Sequence, residues 1–249
     1  MSIPTIQWSG YEWYMHEHWG QVRPDQRWLW MDPSAISVDD NGYLHLVTKY
    51  NPKLLSELML PEGIIPQPGE MAYNAQGLLS STTQFYHGTY EIEAKLPKGK
   101  FMWPAFWTWG WNNWPPEIDV LEAYSNKYGN YFWFNFDYGG LSIWKVLATV
   151  HWRTGGPNNN SAPRTAESDA SWFGYKNPAN RFMKYKLEWF PDAINVYYDG
   201  YLVKSWTDPA ILAFVNQENH RVIINSGLTQ RDDDTDSDFV VKYFTYQSI

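Results

Sequence analysis

Three carboxylates fall within six residues in Glu117-Ile118-Asp119-Val120-Leu121-Glu122. Acids at such spacing can divide the work of nucleophile and proton donor between them. The intervening β-branched and aliphatic residues favour a strand. On a regular strand side chains alternate between faces, so Glu117 and Asp119 share one face and Glu122 takes the other. One extra residue, a β-bulge, returns Glu122 to the face of its neighbours. Val120-Leu121 is the natural place for it, because two adjacent apolar residues break the alternation there. Like charges gathered on one strand face repel, so three of them flanked by tryptophans point to a catalytic strand. Taken without its surroundings, the trio reads equally as an exposed sheet edge or a calcium site.

The rest of the chain must position that strand. It has 249 residues and no linker, which predicts one domain over residues 1–249. Hydrophobic residues make up 44%, enough for a sizeable core, and the aromatic fraction reaches 18% with 16 Trp and 18 Tyr. Those two residues offer flat apolar faces with a polar tip, the surface that stacks against sugar rings. A formal net charge of −8 argues against nucleic acid and against an anionic membrane surface. A polyanionic substrate is disfavoured only weakly, since a groove can be locally neutral. No cysteine is present, so disulfides and thiol chemistry are excluded. That fits the cytoplasm and disulfide-free secreted bacterial enzymes alike. The N-terminus has no basic or apolar leader region and no stretch is apolar enough to span a membrane. A monomer is expected, secreted or periplasmic, with any native signal absent from this chain.

Strand signals recur along the sequence, and helical periodicity is nearly absent. Asp39-Asp40-Asn41-Gly42 is a turn that leads into Tyr43–Thr48. Asn51 to Asn74, with four prolines and two glycines, reads as a long surface loop that walls one end of a binding cleft. Further strands are expected at 77–81, 88–96, 101–109, 131–137 and 148–152. A polar loop follows at 155–164, then strands at 183–189, 194–198, 201–203, 221–224 and 239–246, with one short helix at 209–216. Phenylalanines on one face of 131–137 suggest a core face opposite a groove face. The pattern predicts an all-β sandwich of two antiparallel sheets.

Gly88-Thr-Tyr-Glu-Ile-Glu-Ala-Lys-Leu-Pro-Lys-Gly-Lys, then Trp103-Pro-Ala-Phe-Trp, then Glu117-Ile-Asp-Val-Leu-Glu resembles the core signature of family 16 glycoside hydrolases. Thr149-Val-His-Trp, Tyr185 to Gly200 and Val240 to Tyr246 resemble later segments of the same family, so the likeness covers residues 75–249. The six-residue acidic motif is similar to the laminarinase, agarase and carrageenase side of the family, whereas lichenases have a five-residue form. Two departures lie away from it. Gly77-Leu78-Leu79-Ser80 lacks the arginine often found there, and Asp238-Phe239-Val240-Val241 replaces the usual closing Met-x-Val-Asp.

The resemblance implies a jelly roll with an open substrate cleft on its concave face. It also implies endo-acting, retaining cleavage of a β-linked galactan or glucan. By position Glu117 resembles the nucleophile and Glu122 the acid/base, while Asp119 between them holds a proton and orients the nucleophile. Retention needs carboxyls about 5–5.5 Å apart; strand spacing alone does not deliver that, so retention rests on the resemblance. Trp103, Trp107, Trp109 and Trp114 are the stacking candidates, with Trp103 and Trp114 preferred for the groove and core packing the other reading. His151 resembles the family's histidine on the leaving-group side of the acid/base residue. No cofactor is expected. Some family members hold a structural calcium on the convex face, but Asp232–Asp238 reads as a solvated acidic loop. His16 and His18 are spaced as a metal pair without a third ligand. A lectin-like binder on the same sandwich is the competing class, and a transglycosylase would share every residue named.

Overall fold

The computed structural model describes the backbone of residues 2–135, 142–154, 164–174 and 177–249, with side chains outside 132–145 and 155–176. In chain order the first strands are β1 (Thr5–Trp8), β2 (Tyr11–Tyr14), β3 (Leu29–Met31), β4 (Ile36–Val38), β5 (Leu44–Leu54) and β6 (Met71–Gln76). They are followed by β7 (Leu78–Ser81), β8 (Gly88–Lys95), β9 (Met102–Gly110), β10 (Glu117–Ala123), β11 (Phe132–Asn135) and β12 (Ser142–Arg153). The last are β13 (Arg164–Gly174), β14 (Met183–Trp189), β15 (Ile194–Tyr198), β16 (Tyr201–Trp206), β17 (His220–Leu228) and β18 (Asp236–Ser248), with one helix, α1 (Pro209–Val215), before β17.

Period-two sequence becomes period-two burial. Along β8 every second residue is buried, and β14 and β15 follow the same rule. One sheet runs β1-β2-β7-β17-β9-β10-β12-β11, with β13 also on β12. The other runs β16-β15-β14-β8-β18-β5-β6-β3, with β4 on β5. Pairing is antiparallel apart from β3 beside β6. This is the jelly-roll sandwich of two sheets that the sequence pattern predicts. Between the sheets, Ile92, Leu187, Val241 and Phe244 share one buried cluster with Phe106, Val120, Leu121 and Val222. Each such side chain contributes about 1.5–3 kcal/mol by leaving water. Among the described residues no helix is long and apolar enough to cross a membrane.

Hairpin chemistry sets the register. Asp39 Oδ1 accepts from the backbone N–H groups of Asn41 and Tyr43, and Gly42 supplies a φ of 80°. Asp199 and Gly200, both left-handed at φ 49° and 84°, close the β15–β16 turn.

The structure adds β1 to β4 ahead of the first strand expected, and it departs from expectation again further along the chain. β5 continues through Pro52 to Leu54, because a register irregularity between Tyr50 and Lys53 removes the need for a ladder N–H at the proline. The loop expected from Asn51 to Asn74 therefore shrinks to the connection before β6 at Met71, and it does not wall the cleft. β13 is an extra strand on β12 that its polar sequence did not announce. Most of the loop expected at 155–164 lies outside the described residues, apart from Arg164, which opens β13; the side chains of 132–137 also lie outside them.

Candidate active site

The catalytic-strand expectation turns on the bulge, and it is there. Asp119 pairs with Trp107 on β9 and Thr149 on β12. Leu121 and Glu122 then oppose Phe106 and Ala105 on β9, and Glu122 opposes Leu147 on β12. Val120 has no register partner on either neighbour. The extra residue lets Val120 and Leu121 both enter the core while Glu117, Asp119 and Glu122 border the same cleft.

That cleft encloses about 770 Å³, within the range of ligand sites. Strand alternation on β9 sends Trp103, Ala105, Trp107 and Trp109 to the cleft side and Phe106 and Thr108 to the buried side. Trp114, from the loop before β10, joins them. All four tryptophans border the cleft, where two were expected, because one parity of a single strand supplies three of them.

Each acid is held by a different set of neighbours. Glu117, 14% exposed, accepts from Trp114 Nε1 at 2.5 Å, and His151 Nε2 lies 3.5 Å away. Asp119, 5% exposed, lies 3.3 Å from the same His151 nitrogen. Glu122 accepts from Trp103 Nε1 at 2.9 Å and from the Tyr124 hydroxyl. Tyr124 also stacks on Trp103, with ring centroids 5.5 Å apart. Burial above all, and then the charge of Asp119, pushes Glu117 well above the usual carboxylate range; His151 and Trp114 pull it partly back. Burial and then the charge of Glu122 push Asp119 up as well. The cluster therefore keeps a proton that isolated carboxylates would release.

His151 sits opposite Glu117 in the β10–β12 register and beside Glu117 and Asp119. It was expected on the leaving-group side of the acid/base residue, and the contacts seen are those to Glu117 and Asp119. Register explains the place: Glu122 faces Leu147, four residues earlier on β12. Glu117, Asp119 and His151 also present one ligand-type atom each within 4.8 Å of one another, the geometry with which a divalent cation would compete for the acids.

Several residues at or behind the cleft escaped the sequence reading. Tyr124, which supports Glu122 and Trp103 from behind the cleft lining, follows Glu122 by two residues, a parity signal that was available. Asn225, which accepts from Trp107 Nε1 at 2.9 Å, lies one residue past the strand expected at 221–224. The opposite wall comes from the N-terminal segment through Glu17, Trp19, Arg23, Asp25 and Met31, where no periodicity pointed to a site. The proline-rich connection props this wall from behind: Gln21 N–H donates to Met59 O at 2.7 Å, and Arg27 pairs with Glu70. His16 and His18 each have partners of their own. His16 Nδ1 meets the Glu17 carbonyl, while His18 Nδ1 accepts from Arg221. In the acidic run, Asp233 pairs with Arg231, Asp232 accepts from Thr235, and Asp238 pairs with His45.

Sandwich, bulged acidic strand and tryptophan-lined cleft together define a carbohydrate-active jelly roll. The model for the family described as Glycosyl hydrolases family 16 matches residues 25–243, and the chain belongs to that family. Endo-1,3-1,4-beta-glycanase EglC of Rhizobium meliloti (strain 1021) is 29% identical over 192 residues, 70% of this chain and 36% of that protein. The Beta-1,3-glucan-binding protein of Penaeus monodon is 31% identical over 128 residues, 49% of this chain and 32% of its own. The chain thus spans about a third of the length of the curated relatives it matches. A solved structure from work on endo-acting O-glycanases of the human gut microbiota superimposes with a TM-score of 0.70 at 21% identity, covering 98% of this chain and 86% of that one. At that identity the likeness is one of fold.

Proposed function

We propose that the chain is an endo-acting, retaining hydrolase of a β-linked glucan that contains 1,3 bonds. The observation that carries the reading is the bulge at Val120, which leaves Glu117, Asp119 and Glu122 along one cleft. Glu117 attacks the anomeric carbon and Glu122 protonates the departing glycosidic oxygen, giving a glycosyl ester on Glu117. Glu122 then takes a proton from water as the water attacks that ester, which frees Glu117 and restores the acid. Trp114 N–H and His151 steady the charge on Glu117. Asp119 keeps the cluster's extra proton and shares it with the nucleophile when the ester breaks. The tryptophans supply stacking faces for successive rings. Retention and endo action follow the family resemblance. The choice of glucan follows the names of two relatives; a β-galactan is the other substrate class that the resemblance admits.

Reducing-sugar release from a panel of β-glucans and β-galactans, with wild type beside Glu117→Ser, tests the reading. Activity on a 1,3-linked glucan that the substitution abolishes, mid-chain products, and a first-formed β-anomer by NMR are the expected results. Equal signals from the two proteins would instead favour a binder, the second reading, which the Penaeus monodon glucan-binding relative supports.

A further inference from the structure

Crossing the cleft sheet from the acids leads along one row, Asp119, Trp107, Ile223 and Ser80, on β10, β9, β17 and β7. Three strand spacings separate its ends, roughly 14 Å. Beyond Ser80 stands Glu17, from the N-terminal wall, only 2% exposed yet bordering the cleft. Its hydrogen bonding is thin. Oε2 is 3.5 Å from the Ser80 hydroxyl and 3.7 Å from His18 Nδ1, and Oε1 is buried with no donor among the described residues. Arg221 makes no hydrogen bond to Glu17: its terminal nitrogens donate to His18 and to the Trp111 carbonyl, and its Nε is buried with no acceptor among the described residues. Gln76, 4% exposed and on the same cleft, likewise has a buried Oε1 with no donor among the described residues. Buried acceptors left without donors are costly. Trp19 and Trp109 stand beside them as flat apolar faces.

We propose that Glu17 and Gln76 form an acceptor-lined sugar subsite, remote from the three acids, that takes a neutral ring through its hydroxyl groups and rejects a ring carrying carboxylate or sulfate at that position. The proposal rests on reading the cleft as a glycan site. It goes further by assigning a specificity element to the N-terminal segment, of which Glu17 and Trp19 precede the residues matched by the family model. Hydroxyl donors from a sugar complete the two acceptors, whereas a carboxylate or sulfate oxygen brings no donor and leaves both unpaired. A ligand too short to reach across the row cannot sense either residue.

The test is calorimetric titration in a Glu117→Gln background, which holds ligands without turnover. Neutral linear β-glucan and β-galactan oligosaccharides of increasing length serve as probes, followed by a carboxymethylated polymer. Glu17→Gln is expected to weaken the longer neutral oligosaccharides roughly tenfold to a hundredfold, leave the shortest unchanged, and tighten binding of the carboxymethylated polymer relative to the neutral one. Losses equal at every length, or none, overturn the subsite while leaving the proposed function standing. If no probe binds even with Glu17 intact, both fall together. Trp19→Ala, at a half-exposed position, carries the same test should the buried Glu17 variant fail to fold: a length-dependent loss supports the subsite and a uniform one sinks it.

Discussion

The hydroxyl of Tyr198, on β15, donates a 3.0 Å hydrogen bond to the carbonyl of Val120 on the opposite sheet. Val120 is the residue that the bulge leaves without a register partner on β9 or β12. A bulged residue loses its ladder bonds, and a buried carbonyl without a donor is costly. The far sheet therefore braces the kink that aims Glu122. Tyr198→Phe is expected to cost about 1–3 kcal/mol, seen as a drop of several degrees in melting temperature, and to lower kcat more than it raises KM. Tyr185 is the control. It packs edge-on against Tyr198 at 5.3 Å, but its buried hydroxyl has no partner among the described residues, so Tyr185→Phe should leave stability unchanged or slightly improved. Matching losses from the two variants would refute the bracing role.

Asp119 links stability to pH. Burial and like charge raise Asp119 and Glu117 above their unfolded values, so the native state holds protons that the unfolded chain has released. With more protons bound to the native state, stability falls as pH climbs from the unfolded carboxylate range near ~4 towards the raised values. Asparagine cannot ionise and removes one share of that cost. Asp119→Asn should melt higher than wild type at pH 8, by about 2–4 °C for each kcal/mol regained, with the gap closing near pH 4, while kcat/KM falls. Thermal melts across that range decide it, and a difference independent of pH would rule the account out.

Most of the acidic strand was legible because it follows strand parity. Two adjacent apolar residues marked the bulge, and the alternation of Trp103, Trp107 and Trp109 marked the cleft face of β9. Parity cannot reveal which residue of another strand lies opposite, which is why His151 was expected near Glu122 and stands across from Glu117. Nor does it reach irregular segments. The wall at Glu17, Trp19 and Arg23 follows no period, and its place is set by backbone bonds to a distant connection, such as Gln21 to Met59. The proline-rich stretch was read from its composition as a cleft wall, when its contacts make it a support behind one.

Trp103 serves two purposes that substitution can separate. Its ring stacks on Tyr124, and its N–H holds Oε1 of Glu122. Phenylalanine keeps a ring and removes the donor. Trp103→Phe is expected to lower kcat roughly tenfold or more, the worth of a hydrogen bond to a charged group, with little change in KM. Trp107 donates to Asn225 and touches none of the acids through its N–H, so Trp107→Phe should act on KM alone. Steady-state kinetics across pH distinguishes the two, and a pure KM effect at Trp103 would show that its bond to Glu122 is dispensable.

Parity itself can be tested by changing the length of the strand. Deleting Val120 removes the bulge but leaves Glu117, Asp119 and the last glutamate at alternate positions of a regular strand, still on one face. Exchanging two residues instead, Leu121→Glu with Glu122→Leu, moves that glutamate back one place to the position of Leu121, which faces the core. The deletion should therefore keep measurable glycanase activity despite losing the Tyr198 contact at Val120. The exchange should lose activity below detection and melt lower, because it buries a carboxylate without a partner. Near-UV circular dichroism confirms that each variant is folded before rates are compared. If the deletion is dead and the exchange active, the side of the strand on which Glu122 emerges does not govern catalysis, and its role as proton donor has to be given to another residue.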